Sequence, residues 1–172
     1  IVTLPVDDDS EPLAETGRAG ADSTDGGDAT QGRPGRGQRI LLVEDDPVNC
    51  RQIAFLLEAS GYDVHAVGSA RDALIAAVDR QPAVILMDIQ LPGTDGLTAT
   101  RELKSHLVTR EIPVVALTAN AMDEDAEQAR EAGCDGYVTK PCEKTRLLEA
   151  VRRAIAGRHV EAGAGASDPA AS

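Results

Sequence analysis

The sequence predicts an α/β fold in which five parallel strands alternate with five helices. Three runs, Ile40–Val43, Val84–Met87 and Val114–Leu117, are continuously apolar, as strands covered on both faces of a parallel sheet are. Two further runs, Val64–Val67 and Gly136–Thr139, mix apolar with polar residues, which suits the edges of the sheet. Each run is followed by a longer amphipathic stretch carrying helix start or stop signals.

The elements follow in order. The first strand runs directly into Glu44-Asp45-Asp46, and Asp46 can N-cap a helix with Pro47 in its first turn. Cys50, Ile53, Ala54 and Leu57 share one face of that helix, and Gly61 can end it. After the second strand, Ser69 with Asp72 three residues on resembles a capping box; Ala73, Leu74, Ala77 and Val78 follow, with Pro82 just beyond the end. The third strand leads into Asp88, and a helix is predicted over 96–107. The fourth strand ends at Thr118 and is followed by a predicted helix over 122–132. The fifth ends at Lys140-Pro141, ahead of a helix over 143–156 buried through Leu147, Leu148, Val151 and Ile155. Right-handed crossovers put helices on both faces of the sheet. With strands two and five at the edges, the strand order is 2-1-3-4-5, the flavodoxin-like doubly wound arrangement, whose site lies beyond the carboxyl ends of strands one and three.

Composition narrows the functions this fold can serve. Of 172 residues 42% are hydrophobic, enough for a core, yet the aromatic residues are only Phe55, Tyr62 and Tyr137. The core is therefore expected to be aliphatic, and so few aromatic residues argue against nucleic-acid binding through stacked aromatic side chains. A net charge of −12 argues against direct contact with DNA or an anionic membrane. No apolar run approaches the ~20 residues of a membrane helix and no signal peptide is legible, so the chain is expected to be soluble and cytoplasmic. Cys50, Cys134 and Cys142 are odd in number and lack C-x-x-C spacing, which points to reduced, structural thiols. Residues 1–38 are Gly-rich, with eight acids against three arginines, and read as a flexible acidic linker; 158–172 read as a disordered tail, leaving 39–157 as the folded domain.

The strand ends carry the chemistry. Glu44, Asp45 and Asp88 converge where strands one and three are neighbours, with Thr118 and Lys140 beyond them. Packed carboxylates repel, and a hard divalent cation such as Mg²⁺ is the usual compensation. One carboxylate can then act as nucleophile toward a phosphoryl group, the metal and the Lys140 ammonium neutralising its oxygens while Thr118 donates a hydrogen bond. Any one of these residues alone reads as ordinary surface or capping chemistry, but their joint occurrence at four strand ends is specific.

ILLVEDDPVN, ILMDIQLPGTDG, PVVALTANAM and GYVTKP closely resemble the signatures of two-component response-regulator receiver domains, over about residues 38–157. The resemblance implies that Asp88 accepts a phosphoryl group from phosphohistidine in a self-catalysed transfer, followed by autodephosphorylation. Asp45 and Asp88 then match Mg²⁺ ligands, Glu44 acts through water, and Gln90 contributes its backbone carbonyl. Lys140 matches the family lysine, with a cis bond to Pro141. Thr118 and Tyr137 match the switch pair, and Gln90 and Asn120 occupy positions that tune phosphoryl lifetime. The implied partner is a phosphohistidine-bearing kinase or phosphotransfer protein, docked through Pro47, Val48, Arg51 and Pro141, and a dimer through the face of helix four, strand five and helix five is a family option. Val2-Thr3-Leu4-Pro5-Val6 resembles the last strand of a histidine-kinase ATP-binding domain, and the chain starts at Ile1 without Met. The expectation is the C-terminal receiver of a hybrid histidine kinase; the alternative is a stand-alone response regulator.

Three rival functions fit less well. An aspartyl phosphatase wants a D-x-D pair closing the first strand, where this chain has Glu44-Asp45-Asp46. That triplet would repel the phosphate of a flavin. A pseudo-receiver should lack the acceptor, the lysine or the acids, and none is missing.

Overall fold

The computed structural model describes Gly35, residues 37–120 and residues 123–157. The strand-like residues 1–6, most of the 1–38 linker and the 158–172 tail lie outside the described residues. The chain runs β1 (Arg39–Val43), α1 (Pro47–Glu58), β2 (Asp63–Val67), α2 (Ala70–Arg80), β3 (Val84–Asp88), α3 (Gly96–Ser105), β4 (Val114–Thr118), α4 (Asp123–Ala132), β5 (Gly136–Thr139) and α5 (Lys144–Ile155). The strands form one sheet in the order β2-β1-β3-β4-β5, with every neighbouring pair parallel. This is the predicted doubly wound topology, with the mixed strands β2 and β5 at the edges.

Alternation along the central strands sends side chains to two core layers. Leu41, Val43, Ile85, Met87, Val114 and Ala116 meet α2, α3 and α4 on one face. Ile40, Leu42, Val84, Leu86, Val115 and Leu117 meet α1 and α5 on the other. Both layers are aliphatic, as the composition requires: Phe55 is 68% exposed on α1, and of the three aromatic residues Tyr62 alone is fully buried.

The caps show why the helices begin where they do. Asp46 accepts hydrogen bonds from the amides of Val48 (2.7 Å) and Asn49 (3.0 Å), so this third acid of the triplet serves α1 as its N-cap. Ser69 caps α2 by accepting from the Asp72 amide at 3.1 Å. The expected box closes differently, since Asp72 accepts from the Ser69 hydroxyl at 2.7 Å. The buried face of α2 is Ala70, Ala73, Ala76 and Ala77, with Leu74 half-buried and Val78 exposed. Small side chains let this helix lie close to the sheet.

Ordered contacts reach back to Gly35, whose amide donates to Ser60 O at 2.9 Å while the Gly37 amide donates to Gly61 O at 2.8 Å. A Cβ on Gly35 would lie 2.5 Å from the Gly61 carbonyl carbon and the Tyr62 nitrogen, so only glycine fits against this turn.

Candidate functional site

β1 and β3 pair in register, with Val43 opposite Met87, so the residues that follow each strand emerge side by side. Glu44 extends the ladder by donating its amide to Val67 O at 3.0 Å, which holds its side chain at the sheet's carboxyl edge. Asp88 is the last residue of β3 and pairs with Leu117 of β4. Glu44 and Asp88 are 3% and 2% exposed, whereas Asp45 is open to solvent. One oxygen from each of these three carboxylates falls within 4.8 Å of the others.

Lys140 follows β5 and reaches across β4, its Nζ lying 2.8 Å from Asp88 Oδ2 and 3.1 Å from Glu44 Oε2. Its own backbone amide is tied to Thr118 O at 2.7 Å, which fixes the start of the side chain. The Lys140–Pro141 peptide is cis. The second Asp88 oxygen, Oδ1, accepts the Gln90 amide at 2.8 Å, so both oxygens of the carboxylate have fixed donors. Gly96 is packed beneath this corner: a Cβ there would lie 2.0 Å from the Asp88 carbonyl oxygen.

The electrostatics follow from this packing. Burial pushes the Glu44 carboxyl above its ordinary pKa; the hydrogen bond from Lys140 opposes that shift, and the nearby Asp88 charge adds to it. Burial alone would depress Lys140, but its hydrogen bonds and charge pairing with Asp88 and Glu44 outweigh it and hold the ammonium above its ordinary value. With all three carboxylates ionised, one ammonium leaves the cluster with two uncompensated negative charges. The donor set is all hard oxygen, which fits Mg²⁺ rather than a softer metal.

Thr118 closes β4 and is 2% exposed. Its hydroxyl oxygen lies 2.9 Å from Asn120 O and 3.3 Å from Asp125 Oδ2, and it accepts the Asn120 amide at 3.1 Å. Tyr137, half-buried on β5, packs against the α2–α3–α4 core layer. Pro47, Val48, Arg51 and Pro141 are all exposed, Val48 at 70%. The sequence reading thus brings Glu44, Asp45, Asp88 and Lys140 into one cluster, with Thr118 on the neighbouring strand end. It missed Gly96, visible only as a letter of LPGTDG, and Asp125, which carries no motif signal of its own.

A family model described as the response regulator receiver domain matches residues 40–152. The chain belongs to this family. It is a receiver domain of two-component signalling, in which receiver domains take phosphoryl groups from histidine kinases or phosphotransfer proteins and bind Mg²⁺ in the active site. It is 42% identical over 113 residues to the polar-differentiation response regulator DivK of Brucella ovis, covering 66% of this chain and 92% of that protein. The receiver domain of a sensor histidine kinase from Pseudomonas aeruginosa, solved with a magnesium ion coordinated in its active-site cleft, superposes with a TM-score of 0.66. It is 41% identical, and the match covers 70% of this chain and 98% of the other. The signal receiver domain of a histidine kinase from Syntrophus aciditrophicus gives a TM-score of 0.64 at 32% identity, covering 75% and 98% of the two chains. No helix among the described residues of this receiver domain is long and apolar enough to cross a membrane.

Proposed function

We propose that Asp88 is the phosphoacceptor of this receiver domain. The supporting observation is the buried Asp88 carboxylate with the Lys140 ammonium 2.8 Å from one oxygen and the Gln90 amide 2.8 Å from the other. Those donors orient the carboxylate before any donor arrives, which lowers the cost of reaching an attacking geometry. An Asp88 oxygen bonds to phosphorus as the P–N bond of phosphohistidine breaks, and the electron pair returns to the imidazole nitrogen. Lys140 then pairs with a phosphoryl oxygen, and Thr118 supplies a hydroxyl donor from the adjacent strand. Glu44, acting through water, Asp45, Asp88 and the Gln90 carbonyl would hold Mg²⁺, which when bound neutralises charge on the phosphoryl oxygens. Attack of water on the acyl phosphate releases inorganic phosphate and restores Asp88.

The test is phosphoryl uptake from acetyl phosphate and from a phosphorylated histidine donor. Asp88→Asn is expected to take up no base-labile phosphoryl group; uptake at the parent rate would overturn the assignment. Amide shifts at 44–46 and 88–90 should respond to Mg²⁺, and silence up to tens of millimolar would remove the metal from the scheme.

The partner reading builds on exposure around the opening. Pro47, Val48 and Arg51 on α1 and Pro141 beside Lys140 form an uncovered rim through which a helical hairpin bearing phosphohistidine reaches Asp88. The receiver body is 39–157 in a cytoplasmic chain, with 1–38 as an acidic linker that lets one receiver serve its own kinase and a separate phosphotransfer protein. This arrangement is that of a hybrid histidine kinase, and the receiver of the Pseudomonas aeruginosa sensor kinase is a precedent for it. A reading frame with a Met a few codons before Ile1 and no kinase domain upstream would instead make it a stand-alone regulator like DivK. Phosphorylation moves Thr118 and Tyr137 and alters the α4–β5–α5 face, where a dimer would form; an unchanged sedimentation coefficient on phosphorylation would overturn that dimer.

A further inference from the structure

The position of the Thr118 hydroxyl points to a role for a residue outside the motif cluster. A threonine hydroxyl has one proton to donate. Here it has two acceptors, Asn120 O at 2.9 Å and Asp125 Oδ2 at 3.3 Å, while its lone pair takes the Asn120 amide at 3.1 Å. The two acceptors differ in what they connect. Asn120 sits two residues on in the same turn and travels with Thr118. Asp125 is in the first turn of α4, a separate element, and its carboxylate takes the longer of the two contacts, so its hold on the hydroxyl is one that a phosphoryl oxygen can displace.

We propose that Asp125 is a positioning residue that holds the Thr118 hydroxyl toward α4 before phosphorylation, so that it competes with a phosphoryl group on Asp88 for the single Thr118 proton. The competition has a direction. Donating the proton to a phosphoryl oxygen removes it from Asp125, and the first turn of α4 loses its tie to the end of β4. The same bond that restrains α4 in the resting receiver therefore lowers affinity for the phosphoryl group, by linkage between the two acceptors. The inference rests on Asp88 being the phosphoacceptor and Thr118 the hydroxyl that reports it. Asp125 is half-buried at the helix end, so replacing it leaves the core layers untouched.

The experiment titrates the full chain with beryllium fluoride in the presence of Mg²⁺, following amide shifts at 88–90 for occupancy of Asp88 and at 124–128 for α4. It uses the parent, Asp125→Ala, Asp125→Asn, Thr118→Ala and the Asp125→Ala/Thr118→Ala pair. Asp125→Ala is expected to lower the half-saturating concentration about three- to tenfold, the scale of one ordinary hydrogen bond, with Asp125→Asn between it and the parent. In the Thr118→Ala background the same change should have no effect, a dependence that a merely structural helix cap would not show. An Asp125→Ala titration matching the parent, or an equal effect with and without the hydroxyl, would overturn the proposal while leaving Asp88 as acceptor. Absence of any shift at 88–90 in the parent would overturn the phosphoacceptor reading and this inference with it.

Discussion

A methyl group on residue 96 would meet the carbonyl oxygen of Asp88 at 2.0 Å, closer than any real contact, so the corner beneath this carboxylate is shaped by an absent side chain. Gly96→Ala is expected to destabilise the domain by about 2 kcal/mol, because the end of β3 or the start of α3 must shift to admit the methyl. Urea denaturation measures the loss, and phosphoryl uptake from acetyl phosphate should slow in parallel as Asp88 is displaced; an unchanged unfolding midpoint would show that the corner gives freely. Glu44, Asp45 and Asp88 were legible in the sequence because they follow strands whose apolar runs mark their ends, and Lys140 because it closes the mixed run Gly136–Thr139 ahead of Pro141. Gly96 and Asp125 were not, since their importance lies in an approach of 2.0 Å and a bond of 3.3 Å that depend on how the loops after β3 and β4 turn. Spacing in the chain carries no trace of either.

At the level of elements, the caps divide the acidic triplet by function. Asp46 accepts two amide hydrogen bonds at the start of α1, which hold its carboxyl below the ordinary carboxylate range. Asp46→Ala should therefore lower the urea midpoint, chiefly by leaving amides of the first turn without an acceptor. α5 offers the converse case. Its N-cap, Glu143, makes no side-chain hydrogen bond to the helix start and instead reaches the exposed Arg146 at 3.5 Å, a contact of little energetic weight. Glu143→Ser is expected to raise stability by about 0.5–1 kcal/mol, visible as a higher urea midpoint at constant slope. Hydrophobic residues located α2 but not its buried face. Of the four apolar residues that follow the cap, Val78 is exposed, while Ala76, which was not among them, is buried. Period alone does not distinguish a bulky apolar residue at the rim of a face from a small one beneath it, and the close packing of α2 on the sheet favours the small one.

Across the whole molecule, the buried thiols make the fold sensitive to alkali. Burial pushes both Cys134 and Cys142 from an ordinary value of 9.0 to about 11, so the folded chain keeps protons that the unfolded chain releases. Their contribution to stability is complete below pH 9 and is lost as pH rises toward 11, by at most about 2–3 kcal/mol for each thiol. Urea midpoints at pH 8 and pH 10.5 should differ accordingly, and Cys134→Ala should flatten the dependence; an equally steep fall in that variant would assign the effect elsewhere. Strand order was legible because three runs are apolar throughout and two are mixed. The seating of Gly35 on the α1–β2 turn was not, since a glycine-rich approach reads the same whether docked or free. The ion pair between Glu44 and Lys140 joins residues 96 positions apart, at opposite ends of the folded body. A ribosome adding residues from the N-terminus has therefore made β1 through β4, and exposed Asp88, well before the neutralising lysine emerges. With Asp88 as the proposed acceptor, a chain cut or stalled before β5 is expected to display an aspartate that a histidine donor can meet but cannot charge, because the lysine that pairs with it is still missing.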